Sequence, residues 1–215
     1  MDSKCERRGD TALYVACAGG HTDSVKLLLE SKADVSKGTS SGISPLHAAC
    51  RRGYKDTVKL LMKYKADISQ CNSNKESPLY VACEGGHTST AKLLLQNKAD
   101  VALCNYKGES PLFVACKEGH KDTVKLLLQS FAEVSQCEYY GGNSPLHVVC
   151  DSSSSFPGIA KRRYKKKDPD CLEIVQLLIA SKADVKMCNK KGNTPLDIAR
   201  ELNFYEIVHF LQKHL

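Results

Sequence analysis

An all-α solenoid of stacked turn-helix-helix repeats is the fold class this 215-residue sequence predicts, and three observations predict it. First, Ser44-Pro45-Leu46-His47, Ser77-Pro78-Leu79-Tyr80 and Ser110-Pro111-Leu112-Phe113 fill one slot at intervals of 33 residues. The same slot reads Thr11-Ala12-Leu13 at the start, Ser144-Pro145-Leu146 after 34 residues and Thr194-Pro195-Leu196 after 50, giving six copies. Second, a leucine-rich run such as Val25-Lys26-Leu27-Leu28-Leu29 follows the slot at a fixed offset in the first four copies. Third, ten of the 11 cysteines fall into repeat register: Cys17, Cys50, Cys83, Cys116 and Cys150 share one position, and Cys5, Cys71, Cys104, Cys137 and Cys188 another. A period of this length marks an architecture in which no copy buries its apolar face alone and neighbours complete one another's core.

The third copy, from Asn72 to Val101, justifies each element in order. The Ser77 hydroxyl is placed to cap a helix, and Pro78 follows at the first helical position, where a missing N–H costs nothing. Leu79, Val81, Ala82 and Cys83 give that helix small and apolar faces, and Gly85-Gly86 ends it. Ala91-Lys92-Leu93-Leu94-Leu95 then reads as a second helix. Ahead of each pair stand turn formers such as Asn105-Tyr106-Lys107-Gly108-Glu109 and Asn189-Lys190-Lys191-Gly192-Asn193, predicting β-hairpin-like finger loops.

These residues resemble the ankyrin repeat, a 33-residue turn-helix-helix unit with a Thr-Pro-Leu-His-x-Ala box and a later Gly-His. Ser44-Pro45-Leu46-His47-Ala48-Ala49, Gly86-His87 and Gly119-His120 carry the likeness, which covers residues 5 to 215. One ankyrin repeat domain over 1–215 is expected, with copies at 5–38, 39–71, 72–104, 105–137, 138–188 and a closing copy at 189–215. Two departures stand out. The family places glycine just after the second helix, where the chain turns with positive φ; here that slot holds Lys32, Lys65, Lys98, Phe131 and Lys182. Left-handed geometry there costs roughly 1–2 kcal/mol each, offset by about 0.3–1 kcal/mol where a lysine meets the negative end of the helix dipole. The asparagine of the family's Ala-Asp-Val-Asn tail is replaced by Ser36, Ser69, Ala102, Ser135 and Lys186, so regulation through that asparagine is not expected.

The ends and one interruption break the pattern. In the last copy Arg200 takes the cysteine slot and Asp197 the box histidine, as a capping repeat with a polar outer face would have. The first copy has the apolar pattern of an internal one, so its outer side is expected to be wet, as in the later part of a longer array or a surface that meets something else. The fifth copy carries an insertion at 151–169, with Lys161, Arg162, Arg163, Lys165, Lys166 and Lys167 supplying six of the formal net charge of +7. Poor helix formers surround them, so a basic loop is expected, and three readings stand: a solvated spacer, a nuclear import signal, or a contact to nucleic acid or another anion. Asp168-Pro169 then restarts a helix.

Composition bounds the rest. Hydrophobic content of 42% and charged content of 26% match an ordinary soluble protein, and no apolar run approaches the roughly 20 residues of a membrane span. The N-terminal residues lack the apolar core of a secretion signal, and the cysteines form no Cys-x-x-Cys. A cytoplasmic or nuclear, monomeric array with reduced, buried cysteines is expected. His21, His87 and His120 share one slot and His47 and His147 another, which argues for structural hydrogen bonding rather than catalysis or metal binding. Phosphate-loop, zinc-protease, nucleophile-elbow and kinase motifs are absent, so no enzyme and no cofactor is expected.

The resemblance places partner contacts on the fingers and on the exposed end of each first helix. Its positions here are Arg51, Arg52, Tyr106, Lys107, Lys117, Glu118, Tyr139, Tyr140, Lys190 and Lys191, beside Ser40, Ser41, Ser73, Asn74, Glu84 and other polar residues. Interfaces favour tyrosine and arginine anchors, which weights Tyr106, Tyr139, Tyr140, Arg51 and Arg52. The implied role is a scaffold or adaptor for another protein; the alternatives are a nuclear regulatory factor whose 161–167 loop contacts nucleic acid or an acidic partner, or the substrate-recruiting part of a larger protein.

Overall fold

The computed structural model describes residues 10–151 and 169–215, and the candidate import or anion-contact residues Lys161 to Lys167 lie outside them. Twelve α-helices and no β-strand occur among the described residues. They fall into two units, Met1–Tyr106 and Lys107–Leu215. Unit 1 holds α1 (Ala12–Gly19), α2 (Thr22–Glu30), α3 (Pro45–Arg52), α4 (Lys55–Lys63), α5 (Pro78–Glu84) and α6 (Thr88–Gln96). Unit 2 holds α7 (Pro111–Lys117), α8 (Lys121–Gln129), α9 (Pro145–Cys150), α10 (Pro169–Ala180), α11 (Pro195–Glu201) and α12 (Tyr205–Gln212).

Within each unit the helices are hairpins that stack. In unit 1, α1 packs on α3 and α3 on α5, while α2, α4 and α6 form the second layer. Unit 2 repeats this with α7, α9 and α11 in one layer and α8, α10 and α12 in the other. Each unit is therefore an α-solenoid of turn-helix-helix copies.

The local chemistry is the one the repeats predict. Ser44, Ser77, Ser110, Ser144, Thr11 and Thr194 each accept from the backbone N–H three residues on. Proline opens all of these helices but α1. The leucine after it is buried in every copy: Leu13, Leu46, Leu79, Leu112, Leu146 and Leu196. At roughly 1.5–3 kcal/mol for each fully buried aliphatic side chain, this column and the leucines of the second helices supply much of the driving force. Leu61 and Leu94 in unit 1 and Leu127 in unit 2 are fully buried in one shared slot.

The residues after the second helices do turn left-handed: φ is 62° at Lys32, 63° at Lys65, 69° at Lys98, 62° at Phe131 and 67° at Lys182. Each carries a Cβ where the carbonyl approaches, so each holds strain. Lys75 (φ 57°) and Asn203 (φ 59°) join them in slots that other copies fill with Gly108 and Gly86.

The cysteines divide by slot. Cys17, Cys50, Cys83, Cys116 and Cys150 are buried free thiols, and burial raises all five, that of Cys17 to about 12. The second slot corrects the expectation of burial: Cys71, Cys104 and Cys137 are half-buried and Cys188 is exposed. Their thiols reach back to the carbonyl two residues earlier, on the turn that leads into each finger.

The outer side of the first copy is wet. Val15 is 51% exposed, whereas its register mates Ala48, Val81, Val148 and Ile198 reach at most 8%. In the last copy Asp197 and Arg200 are exposed, as a polar outer face requires. No helix among the described residues is long and apolar enough to cross a membrane.

Candidate partner-binding surface

The fingers are built before their tips are decorated. Four of them close on themselves through a backbone bond across four or five residues: Thr39 N–H to Ile43 O at 3.0 Å, Asn72 to Glu76 at 3.1 Å, Glu138 to Asn143 at 3.1 Å and Asn189 to Asn193 at 3.0 Å. Neighbouring fingers are then laced together. In unit 1, Ser73 N–H donates to Ser41 O and Tyr106 N–H to Asn74 O, both at 3.0 Å. In unit 2, Tyr139 N–H donates to Lys107 O and Lys190 N–H to Gly141 O, both at 2.8 Å. The tips thus project from an ordered backbone ladder.

Side chains inside the fingers are spent on the fold. Asn72 Oδ1 accepts from Asn74 and Glu76 N–H, and Asn189 Oδ1 from Lys191 and Asn193 N–H. Glu138 does the same work in its finger: its carboxylate accepts from Tyr140, Gly141 and Asn143 N–H at 2.7, 2.7 and 3.1 Å. The box histidines tie helix to finger. His47 Nδ1 lies 3.2 Å from Ser44 N and accepts its proton, so Nε2 carries the ring hydrogen and donates to Glu76 O at 3.0 Å. His147 repeats this with Ser144 and Asn193 O. Burial lowers both histidines below their ordinary value and keeps them neutral.

The candidate residues sort by how much of each is left for a visitor. Arg51 is exposed but bridges Glu76 at 3.3 Å and Glu84 at 3.8 Å. Lys117 is half-buried and sits 3.1 Å from Glu109, itself 7% exposed. Removing one partner of so sheltered a pair leaves the other desolvated, so Lys117 is held by the fold. Arg52 and Glu118 are exposed at the ends of the first helices. Tyr106, Tyr139 and Tyr140 are 46%, 63% and 69% exposed, large aromatic areas for surface positions. Lys190 and Lys191 are exposed beside the latter two in unit 2, and Lys107 is half-buried.

Glycines let these side chains lie down on the ladder. A Cβ on Gly108 (φ 78°) would stand 2.7 Å from the Tyr139 ring, and one on Gly142 (φ 69°) 2.9 Å from Cγ of Lys190. Lys190 Nζ also donates to the Tyr139 carbonyl.

Spacing alone missed Phe131, 93% exposed in a slot otherwise held by lysine, and Leu27, 65% exposed on α2. The first had a signal, an aromatic in a charged column; the second is identical to its mates and had none. Among the described residues no group of three or more His, Cys, Asp or Glu is placed to hold a metal ion. The best-formed concavities, of about 320 Å³ and 400 Å³, are open grooves between second helices, lined in part by Lys26, Lys59 and Leu60 in unit 1 and by Lys125, Glu173 and Leu177 in unit 2.

A family model described as ankyrin repeats (3 copies) matches residues 1–71 and 64–137, and one described as ankyrin repeats (many copies) matches residues 166–212. No curated protein matches the chain.

Proposed function

The chain belongs to the ankyrin repeat family, whose members are generally protein-protein interaction modules, and from that premise we propose that it is a scaffold that holds a partner protein on its finger tips. The observation that carries the reading is the division of labour in the fingers. Asn72, Glu138, Asn189 and the box histidines are consumed by the backbone, while Tyr106, Tyr139 and Tyr140 stay exposed on an ordered support. Rigid aromatic side chains on a preformed backbone bind with little ordering cost. The reading needs no cofactor and no catalytic group, and it suits a cytoplasmic or nuclear protein whose buried thiols stay reduced.

Affinity capture followed by mass spectrometry, with the intact chain beside a Tyr106→Ala/Tyr140→Ala variant, tests it. The variant is expected to melt at the wild-type temperature and to lose the captured partner. A partner retained at full strength would move the site off the fingers. The charge run at 161–167 favours a second reading, a nuclear factor whose basic loop meets nucleic acid or an acidic tail. Binding that falls steeply with salt, and vanishes when residues 161–167 are deleted, would select that reading.

A further inference from the structure

We propose that the finger edge of unit 2 takes an extended acidic segment of the partner, with carboxylates on Lys190 and Lys191 and apolar side chains against Tyr139 and Tyr140; this rests on the scaffold reading above. The four side chains belong to two adjacent fingers joined by the Lys190 N–H to Gly141 O bond. All four are exposed. The Lys190 stem lies over Gly142 and its ammonium donates to the Tyr139 carbonyl, so that charge is held in place before anything binds.

The carboxylates of the fingers in unit 2 do not compete for it. Glu138 faces inward and accepts from three backbone N–H groups of its own finger, and Glu109 is buried against Lys117. What remains at the tips is cationic and aromatic. A carboxylate arriving there meets a fixed ammonium and phenolic donors, and neighbouring apolar residues of the same segment meet two aromatic faces. Charge favours a protein segment over nucleic acid. Apart from the 161–167 run, the chain carries a net charge of only about +1, because six of the formal +7 lie in that run, whereas a nucleic acid asks for a cation track along many phosphates.

The test uses the full chain and a fluorescein-labelled synthetic peptide of alternating glutamate, proline and valine, read by anisotropy beside its glutamine counterpart. The glutamate peptide is expected to bind about tenfold more tightly. Lys190→Gln/Lys191→Gln should abolish that preference with an unchanged melting curve, and Tyr139→Ala/Tyr140→Ala should weaken both peptides. Neutralising the six cations between 161 and 167 should change the preference by less than about threefold. A preference that survives Lys190→Gln/Lys191→Gln, or that disappears with the loop cations, overturns the proposal. So does an oligothymidylate that binds the tips more tightly than the peptide. If the partner captured from cells is lost in Tyr106→Ala/Tyr140→Ala while the lysine pair proves irrelevant, the scaffold reading stands and the acidic segment falls. A partner indifferent to the tyrosines fells the scaffold reading itself.

Discussion

The fingers of the two units share a backbone and differ in almost everything attached to it. Ser41 O and Asn74 O receive the next finger's N–H in unit 1, and Lys107 O and Gly141 O do so in unit 2. Among the described residues the tips of unit 1 are Ser40, Ser41, Ser73 and Asn74, short and polar, until Tyr106 closes the series; those of unit 2 include Tyr139, Tyr140, Lys190 and Lys191. The turn residue differs in one copy: unit 1 uses Gly42 (φ 73°) and then Lys75 (φ 57°), where unit 2 uses glycine at 108, 142 and 192. A support fixed by register and tips free to vary are separable, so recognition can be rewritten without touching the fold.

The sharpest way to break that separation is to compare the support with the tips directly. Leu61→Ala in unit 1 and Leu127→Ala in unit 2 remove fully buried side chains from one shared slot. Each should cost about 2–5 kcal/mol in urea unfolding. Tyr140→Ala, 69% exposed, should stay within about 0.5 kcal/mol of wild type. A tip substitution that rivals a core one would mean that the tips hold the array together.

The glycines sharpen the comparison next. Gly108→Ala meets both a left-handed backbone, roughly 1–2 kcal/mol, and the Tyr139 ring at 2.7 Å. Gly192→Ala, at φ 80° with nothing within 4 Å, meets the backbone penalty alone. Thermal unfolding should therefore rank Gly108→Ala as the worse. The reverse changes, Lys75→Gly and Lys98→Gly, should raise the melting temperature, since strain relief of roughly 1–2 kcal/mol exceeds the roughly 0.5–1 kcal/mol that glycine loses in chain entropy. Lys75→Gly should gain more, because Lys98 closes a helix and forfeits its favourable dipole contact. An equal or lower melting temperature would show that these turns carry no strain.

Much of this was legible in the sequence because repetition multiplies a weak signal. One Ser-Pro-Leu is a poor helix start; four of them, with Thr-Ala-Leu and Thr-Pro-Leu in the same slot, each with a capping hydroxyl and a buried leucine, fix the fold, the left-handed slot of Lys32, Lys65, Lys98, Phe131 and Lys182, and the structural role of the box histidines. Legibility failed where a side chain's fate depends on a partner in another copy. Arg51 and Lys117 share a slot and read as free anchors, yet one leans on the next copy's Glu76 and the other on its own Glu109. The second cysteine slot is as regular as the first, and only the packing of the turn distinguishes a half-buried thiol from a buried one.

Acid should act on both units alike through His47 and His147. Burial depresses each below its ordinary value of about 6.5. Between that lowered value and 6.5 the unfolded chain binds protons that the folded chain does not, so stability is full above about pH 6.5 and falls as pH drops through it. Tyr80 fills the same slot in the third copy and is buried, so His47→Tyr/His147→Tyr is tolerable there. That variant should show a flatter dependence of melting temperature on pH between 7.5 and 5.5, and an identical slope would remove the histidines from the account.

The smallest effect isolates register inside unit 1. Thr57 and Thr90 occupy one slot on successive second helices, both fully buried. Thr57 Oγ1 pairs with Thr22 Oγ1 of the copy before it at 2.9 Å. Thr90 Oγ1 has no such partner, because the preceding copy holds Lys55 where the first holds Thr22. A buried hydroxyl without a partner costs about 1–3 kcal/mol relative to a satisfied one, and valine has nearly the same shape without the oxygen. Thr90→Val should therefore stabilise by up to about 1 kcal/mol, and Thr57→Val should destabilise by a similar amount as Thr22 loses its bond. Opposite signs from one substitution in one slot would show that the copies are equal in backbone and unequal in what their neighbours offer, whereas equal signs would mean that Thr90 is satisfied by water.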